Sequence, residues 1–266
     1  MRGGRAWTVA TTRAAGTAVA ALLLGAAGRA APAEPLRILT ADIPPLAYVQ
    51  DGRVMGFCVD VVREIQRRTG DSTEIQAMPW ARSYLLSRSG ANVVLVCPKR
   101  IPEREQQFLW VGPLRASQTN FYVRRGSGVR LASMDDARKL SGVLVQRDFY
   151  SQQYLRGEGF DNLEPVNSSL SMVRMLMAGR RPAMVIDRDS LPALLAQAHI
   201  DPADVELALP MLAISSYLTF SRGADPQVVA RWRTALEQIK SDGTFARIEQ
   251  RWLPPTPPML PAPHRP

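Results

Sequence analysis

Residues 92–113, NVVLVCPKRIPEREQQFLWVGP, combine a short apolar run, a charged turn and an aromatic segment. The apolar run, Val93–Val96, has the length and composition of a strand buried on both faces of a sheet. Lys99 and Arg104 follow it, and open α/β sheets bind ligands beyond the carboxyl ends of their strands. An arginine can hold a planar carboxylate through two parallel hydrogen bonds. This stretch therefore predicts an α/β fold with an anion-binding group at one edge of the sheet.

The remainder of the chain alternates predicted strands and helices, which independently indicates an α/β fold. Gly70 predicts the end of a helix that begins near Gly56. Ser133, followed three residues later by Asp136, has the pattern of a helix N-cap. Asp225 precedes a proline that suits the first turn of another helix. Three segments beyond residue 115 are predicted as separate short strands: 119–124, 205–209 and 216–222.

Composition excludes several classes of function. The chain has 266 residues, of which 46% are hydrophobic and 21% charged, as in ordinary globular domains. Its 33 basic and 24 acidic residues give a net charge of +9, yet no RNA-binding motif, zinc-finger spacing or dense basic patch accompanies that surplus. Two histidines, His199 and His264, argue against a histidine-built metal site or a Ser-His-Asp triad. We expect no nucleic acid partner, no metal and no cofactor.

The N-terminal residues 1–33 have the pattern of a secretory signal peptide. Arg2 and Arg5 provide the positive start, and residues 17–27 form an apolar stretch that is too short for a membrane span. Small residues at 31–33 predict cleavage near Ala33. A transmembrane anchor is the alternative interpretation of this segment. We expect an exported protein, located in the periplasm if the source has one.

Export makes a disulfide between Cys58 and Cys97 feasible. Cys58 is predicted at the start of a helix and Cys97 at the end of a neighbouring strand, at the same edge of the sheet. Two buried free thiols are the alternative. Closing a loop of this length stabilises a fold by about 4 kcal/mol on entropic grounds.

Residues 35–252 resemble the bacterial extracellular solute-binding proteins of family 3, the polar amino acid type. The order and spacing of several short motifs carry the resemblance: Gly56-Phe57 with Asp60, Pro102-Glu103-Arg104-Glu105 with Phe108-Leu109-Trp110, and Asp242-Gly243-Thr244 with Arg251-Trp252. The resemblance implies a periplasmic-binding-protein-like fold of type II, in which two α/β lobes are joined by two crossing strands around a ligand cleft. The implied first lobe is 34–115 plus 214–252, the second is 116–213, and 253–266 is a proline-rich disordered tail.

The same resemblance implies the ligand site. Arg104 matches the family's arginine for the ligand α-carboxylate, and Asp187 matches the aspartate for the α-ammonium. Asp187 alternatively caps a helix that starts near residue 190. Lys99 lies in the charged turn, and Trp80 is either a wall of the cleft or ordinary core. In the second lobe, Asp148 and Phe149 stand where the family has small residues.

These observations predict an exported, monomeric solute-binding protein that captures a small polar ligand, an amino acid or a related carboxylate. Its expected partner is an inner-membrane ABC permease. Two alternatives stay open at this point. One is a secreted enzyme on the same scaffold, similar to cyclohexadienyl dehydratases, with Asp148 or Asp187 as a general acid. The other is a ligand-sensing module without transport.

Overall fold

The computed structural model describes residues 35–253 and the isolated residues 1, 3, 4, 255 and 260. Ten strands and eight helices alternate along the continuous part. The strands are β1 Arg37–Thr40, β2 Tyr48–Gln50, β3 Arg53–Met55, β4 Ile75–Ala77, β5 Val93–Lys99, β6 Phe108–Arg124, β7 Val143–Gln146, β8 Leu163–Val166, β9 Ala183–Asp187 and β10 Val205–Ser221. The helices are α1 Phe57–Thr69, α2 Trp80–Ser89, α3 Met134–Arg138, α4 Tyr150–Gly157, α5 Ser169–Met177, α6 Leu191–Ala198, α7 Pro226–Ser241 and α8 Thr244–Trp252. The predicted α/β class is confirmed.

One eight-stranded sheet contains all strands except the hairpin β2–β3, in the order β4-β1-β5-β10-β6-β9-β7-β8. The strands β6 and β10 form its centre and pair antiparallel along their whole length. The strands β4, β1 and β5 lie on one side of this pair, and β9, β7 and β8 on the other.

The central pair corrects the prediction of separate short strands. Each of β6 and β10 is one strand of 17 residues. In the sequence, Gly112-Pro113 suggests a stop and Pro210 breaks the β pattern, so the segments looked discontinuous. Shifts in pairing register at Leu207/Leu209 and Pro210/Leu212, near Pro210, and at Ser216/Leu218, opposite Gly112-Pro113, absorb the irregular residues without ending either strand.

Separate hydrophobic clusters lie on the two sides of the central pair. The largest cluster joins α1, β5 and α7, with Trp232 and Phe57 fully enclosed. On the other side, one cluster forms around Phe121 and Val145, and another around Met184. The exact bounds of the two lobes stay a prediction.

The predicted helix boundaries are confirmed. The helix α1 ends at Gly70, which adopts the left-handed conformation. A reciprocal capping box of Ser133 and Asp136 begins α3, and the side chain of Asp225 caps α7. Gly56 precedes α1 at a φ of 125°, where a Cβ atom would lie 2.6 Å from the carbonyl oxygen of Leu46. This position therefore requires glycine.

Cys58 and Cys97 form a disulfide with Cα atoms 6.1 Å apart, which confirms the predicted bridge. It joins the first turn of α1 to β5. The bridge fixes the end of β5, two residues before Lys99, against the largest hydrophobic cluster.

The predicted signal peptide, 1–33, lies outside the described residues except at positions 1, 3 and 4. Most of the predicted tail lies outside them as well. Leu260 is described, and its backbone exchanges two hydrogen bonds of 2.7 and 3.2 Å with the buried side chain of Gln118 on β6. None of the helices in the described part of the chain has the length and apolar character needed to cross a bilayer.

Candidate ligand-binding site

A small enclosed cavity lies where β5 and β9 end, on opposite sides of the central strand pair. Its free volume is about 30 Å³, which accommodates about one or two water molecules. Lys99 and Asp187 face each other in its wall, with Nζ and Oδ2 2.8 Å apart. Only 4% and 5% of these side chains are exposed.

Several polar atoms around this cavity lack a hydrogen-bond partner among the described residues. Lys99 Nζ and Asp187 Oδ2 are close, but their contact does not meet the angles of a hydrogen bond. The hydroxyl of Ser190, in the same wall, also has no partner. Buried polar groups bind polar partners, so the Lys99–Asp187 ion pair and the Ser190 hydroxyl make this cavity suited to a polar ligand.

The backbone explains why these side chains converge. Lys99 ends β5 and Asp187 ends β9, while Ser190 precedes α6. The second oxygen of Asp187, Oδ1, is held by the hydroxyl of Ser117 at 2.7 Å and by the backbone N–H of Asp189 at 3.0 Å. Asp187 is therefore rigidly oriented, with one oxygen satisfied by the protein and the other aimed at Lys99.

Arg104 is fully buried and does not line this cavity. Its guanidinium carbon lies 5.0 Å from the ring centre of Trp80 and 4.6 Å from that of Tyr84. Its Nε donates to Gln153 Oε1 at 2.9 Å, and Nη1 has no hydrogen-bond partner among the described residues. Burial lowers the pKa of Arg104 to about 10.

Arg104 and Asp187 do not pair directly in this conformation, and the predicted clamp, in which a ligand bridges them, stays a prediction. The hydroxyl of Tyr150 interacts electrostatically with both side chains and lies 2.6 Å from Thr119 Oγ1. Burial raises the pKa of Tyr150 well above its usual value. The partner that meets Asp187 directly is Lys99, because Lys99 lies at the strand end while Arg104 lies in the following 3₁₀ turn, Pro102–Gln107.

Of the other two predicted site residues in the second lobe, Phe149 lines the small cavity and Asp148 does not. Phe149 lines the small cavity and packs edge-on against Trp80, with ring centres 5.1 Å apart. The side chain of Asp148 is exposed. Its backbone carbonyl accepts a 2.7 Å hydrogen bond from the indole N–H of Trp80. The described residues contain no group of three or more His, Cys, Asp and Glu side chains that would hold a metal ion.

The sequence model of the bacterial extracellular solute-binding proteins, family 3, matches residues 36–255. The chain belongs to this family. The chain is similar to the probable ABC transporter arginine-binding protein ArtJ of Chlamydia trachomatis serovar D. The two sequences are 21% identical over 215 residues, which cover 80% of this chain and 82% of that protein.

Solved structures with this fold include proteins of different roles. A histidine kinase sensor domain with similarity to periplasmic binding proteins superposes with a TM-score of 0.76 at 21% identity, over 84% of this chain and 98% of that one. The ancestral amino acid-binding protein AncCDT-1, a precursor of cyclohexadienyl dehydratase, gives 0.69 at 20% identity, over 82% and 95%. These likenesses support the two-lobed fold of a solute-binding protein.

In this family 3 solute-binding protein, a larger outer chamber adjoins the small cavity. Its volume is about 440 Å³, within the usual range for small-molecule sites. Both spaces share the wall residues Asp42, Pro44, Gln146, Ser169 and Leu194. Trp80 is part of the outer wall and also belongs to the buried hydrophobic cluster around Leu95 and Phe108, so its role at the ligand stays a prediction.

Several residues around the solute-binding site were missed at the sequence level. Asp42 follows strand β1 and Ser190 lies just beyond β9, so their positions after parallel strands were a usable signal. Tyr84 and Gln153, which contact or surround Arg104, lie within helices and carry no such signal.

Proposed function

We propose that the protein captures a free L-α-amino acid in the cleft between its two lobes. The observation that carries this proposal is the set of three buried polar atoms around one cavity: Lys99 Nζ, Asp187 Oδ2 and Ser190 Oγ. An α-amino acid carries a carboxylate and an ammonium on one carbon. Its carboxylate would bind Lys99, and its ammonium would bind Asp187 and the Ser190 hydroxyl.

The ligand would replace the direct contact of Lys99 and Asp187 by two better hydrogen-bonded pairs. Hydrogen bonds to charged groups contribute about 1.5–3 kcal/mol each, whereas unmade bonds of buried groups are costly. The present cavity is too small for an amino acid, so the lobes must open to admit it. A guest that contacts both lobes then favours the closed form.

This proposal assigns the carboxylate to Lys99 instead of Arg104. The reason is that Lys99 lines the cavity, whereas Arg104 does not. Two aromatic rings enclose Arg104, its Nε donates to Gln153, and its Nη2 donates to the carbonyl oxygen of Asp148 at 3.5 Å. The role implied by the family resemblance, in which Arg104 binds the carboxylate, remains the competing assignment. The two assignments predict different variants to lose recognition.

Export to the periplasm, a monomeric state and delivery to an inner-membrane ABC permease complete the proposal. Their support is membership of an extracellular solute-binding family and the likeness to a relative named as an ABC transporter arginine-binding protein. Uptake of radiolabelled ligand by cells with and without the gene tests delivery. Unchanged uptake would leave a binding protein that acts as a sensor.

We propose binding without turnover. On the enzyme interpretation, Asp148 or Asp187 is the general acid. The side chain of Asp148 is exposed and does not line the small cavity, whereas Asp187 lines it in an ion pair with Lys99. A general acid must lie within hydrogen-bond reach of the group that it protonates. Incubation with prephenate and arogenate should give no product by chromatography. Turnover of either compound would overturn this part of the proposal.

Calorimetry with ligand analogues tests the α-group assignment. A thermal-shift screen of L-amino acids first identifies a ligand that raises the melting temperature. Its α-amide lacks the carboxylate charge, and its N-acetyl derivative lacks the ammonium. Each derivative should bind at least about 30-fold more weakly, because it leaves a buried charge unpaired. Equal binding of the parent acid and both derivatives would refute the proposed site.

Two variants then separate Lys99 from Arg104. In Lys99→Met, the preference for the acid over the α-amide should disappear, whereas Arg104→Met should retain it. The opposite result would assign the carboxylate to Arg104. Circular dichroism of both variants verifies that the comparison is made on folded protein.

A further inference from the structure

A buried ion network lies behind the candidate site. The side chain of Asp189 lines neither the inner cavity nor the outer chamber and is 3% exposed. Its Oδ2 accepts a 3.0 Å hydrogen bond from Nε of Arg115, which is 2% exposed. Nη1 of Arg115 donates to Oε1 of Glu249 on α8 at 2.8 Å. One buried guanidinium therefore joins the turn after β9 to a helix that packs in the largest hydrophobic cluster, on the other side of the central strand pair.

The turn 187–190 carries two of the three polar groups of the proposed site. The backbone N–H of Asp189 donates to Oδ1 of Asp187 at 3.0 Å, and the backbone N–H of Ser190 donates to the carbonyl oxygen of Asp187 at 3.1 Å. Asp187 and Ser190 both line the inner cavity. The direction in which Oδ2 of Asp187 points therefore depends on where the backbone of Asp189 is held.

Two residues of β6 hold this turn. Ser117 donates to Asp187 at 2.7 Å, and Arg115 donates to Asp189 at 3.0 Å. Residues two apart on a strand point to the same face, and the order of the two contacts agrees with the antiparallel pairing of β6 and β9. The contact of Arg115 joins two charged groups away from water, where such a hydrogen bond is strong.

We infer that Arg115 is a positioning residue for ligand recognition: it anchors Asp189 and thereby orients Asp187 and Ser190 towards the ammonium of the ligand. This inference rests on the proposed α-amino acid function and adds a residue that acts on the same site without touching the ligand. An ion pair that only stabilises the fold would affect the binding of every compound alike. A positioning role affects the compounds that carry an ammonium.

Three compounds test this role in Arg115→Met. They are the standard L-amino acid that gives the largest thermal shift, its α-amide and its N-acetyl derivative. By calorimetry, the amino acid and its α-amide should each bind about tenfold or more weakly than to wild type, because a hydrogen bond to a charged group is misaligned. The N-acetyl derivative lacks the ammonium and should bind as it does to wild type. The preference for the acid over the N-acetyl derivative should therefore fall, while its preference over the α-amide should not change.

Three further variants isolate the contact with Asp189. Asp189→Asn keeps the backbone N–H and leaves no buried carboxylate without a cation, so it tests the same step even if Arg115→Met fails to fold. It should show the same selective loss. Glu249→Gln should behave as wild type, because its amide oxygen still accepts a hydrogen bond from Arg115. Arg68→Met is the matched control, since Arg68 also pairs with two carboxylates but lines neither the cavity nor the chamber.

The outcomes separate this inference from the proposed function. Equal weakening of all three compounds in Arg115→Met and Asp189→Asn, or wild-type binding of all three, would overturn the positioning role and leave α-amino acid binding intact. A loss in Glu249→Gln as large as that in Asp189→Asn would also overturn it, because the link to α8 would then set recognition. Failure of every standard L-amino acid to bind the wild-type protein would refute the proposed function itself.

Hydrogen exchange of the Asp189 amide tests the anchoring step without any ligand. This amide should exchange at least about tenfold faster in Arg115→Met than in the wild-type protein, because the turn opens more often when its anchor is removed. Unchanged exchange would show that Arg115 does not hold the turn.

Discussion

The Nζ atom of Lys99 lies 2.8 Å from Oδ2 of Asp187, in a pair that spans the two central strands of the sheet. Lys99 ends β5 and Asp187 ends β9, and these strands are separated in the sheet by β10 and β6. The ion pair therefore joins the two sides of the cleft directly. A zwitterionic ligand that binds here must compete with it.

Breaking this pair from one side should destabilise the fold. Lys99→Met leaves an unpaired buried carboxylate, and Asp187→Asn leaves an unpaired buried ammonium. We expect each to lower the free energy of unfolding by about 3–5 kcal/mol. The double variant should lose clearly less than the sum of the two, because neither charge is then stranded. Urea unfolding of the four proteins measures this coupling.

The exposed pair of Arg125 and Glu206 serves as the matched control. Its charged atoms are 3.9 Å apart, with 61% and 39% of the side chains exposed. The same cycle at this pair should show little coupling, because solvent screens it. If Lys99 and Asp187 behave in the same additive way, the buried pair does not join the two sides of the cleft energetically.

Arg104→Met should be tolerated, whereas Arg104→Ala should not. The folded-state pKa of Arg104 is about 10, below its ordinary value of 12.5, because burial penalises the charged form. At neutral pH the charge therefore costs stability, and replacing it by an apolar chain of similar size should leave the free energy of unfolding unchanged or raise it by about 1–3 kcal/mol. Alanine instead leaves a void between Trp80 and Tyr84 and should lower it by about 2–4 kcal/mol.

Chemical unfolding at neutral pH measures both Arg104 variants. Gln153 is only half-buried, so water can replace the hydrogen bond that it receives from Arg104. Equal losses in the methionine and alanine variants would show that the guanidinium hydrogen bonds outweigh the cost of burying the charge.

Acid should remove one stabilising contact on α1. Hydrogen bonds from Arg67, together with those from Arg68, lower the pKa of Glu64 from 4.5 to about 2. The folded state thus binds fewer protons than the unfolded state between these values. The contribution is complete above pH 4.5 and is lost as the pH falls towards 2.

Glu64→Gln should therefore be less stable than wild type at pH 7, and the difference should vanish near the lower pKa. Solvent screening limits the difference at pH 7 to about 1 kcal/mol. Melting temperatures across this pH range measure it. The exposed Glu74→Gln variant, whose carboxylate has no ionic partner among the described residues, should show no such pH-dependent difference.

Gly56→Ala should destabilise the start of α1 strongly. The added Cβ would meet the carbonyl oxygen of Leu46 at 2.6 Å, at a φ of 125° that disfavours alanine. A loss of about 2 kcal/mol or more in the free energy of unfolding is expected. Gly52→Ala also has a positive φ, 72°, but no atom lies within 4 Å of the new Cβ, so its loss should be smaller. Equal losses would show that φ alone matters at Gly56.

Local signals in the sequence predicted much of the fold. The apolar run of β5, the stop at Gly70 and the caps at Ser133 and Asp225 are each encoded within a few neighbouring residues, and all are present. The continuous strands β6 and β10 could not be predicted in this way. Their length depends on the 14 pairs of residues that they form with each other, which outweigh the local breaks at Gly112-Pro113 and Pro210.

In the candidate site too, some features could be predicted from the sequence and others depend on the tertiary structure. Lys99, Trp80, Phe149 and Asp187 were identified as site residues by position after strands or by family resemblance, and the structure places each of them beside the inner cavity or the outer chamber. Whether they bind ligand stays a prediction. Which cation faces Asp187 could not be read from the chain, because Lys99 and Arg104 occupy the same charged turn.

By itself, the sequence predicted the family, the α/β class and the helix boundaries, because short-range patterns of polarity, turn residues and spacing specify these features. It left the bridge between Cys58 and Cys97 open against two free thiols, and the structure decided for the bridge. Only the tertiary structure decided that Lys99 meets Asp187 and that aromatic rings enclose Arg104. Lys99 and Asp187 are 88 positions apart in the chain, and Arg104 is 24 and 20 positions from the two rings that enclose it, so packing and not local sequence sets these distances.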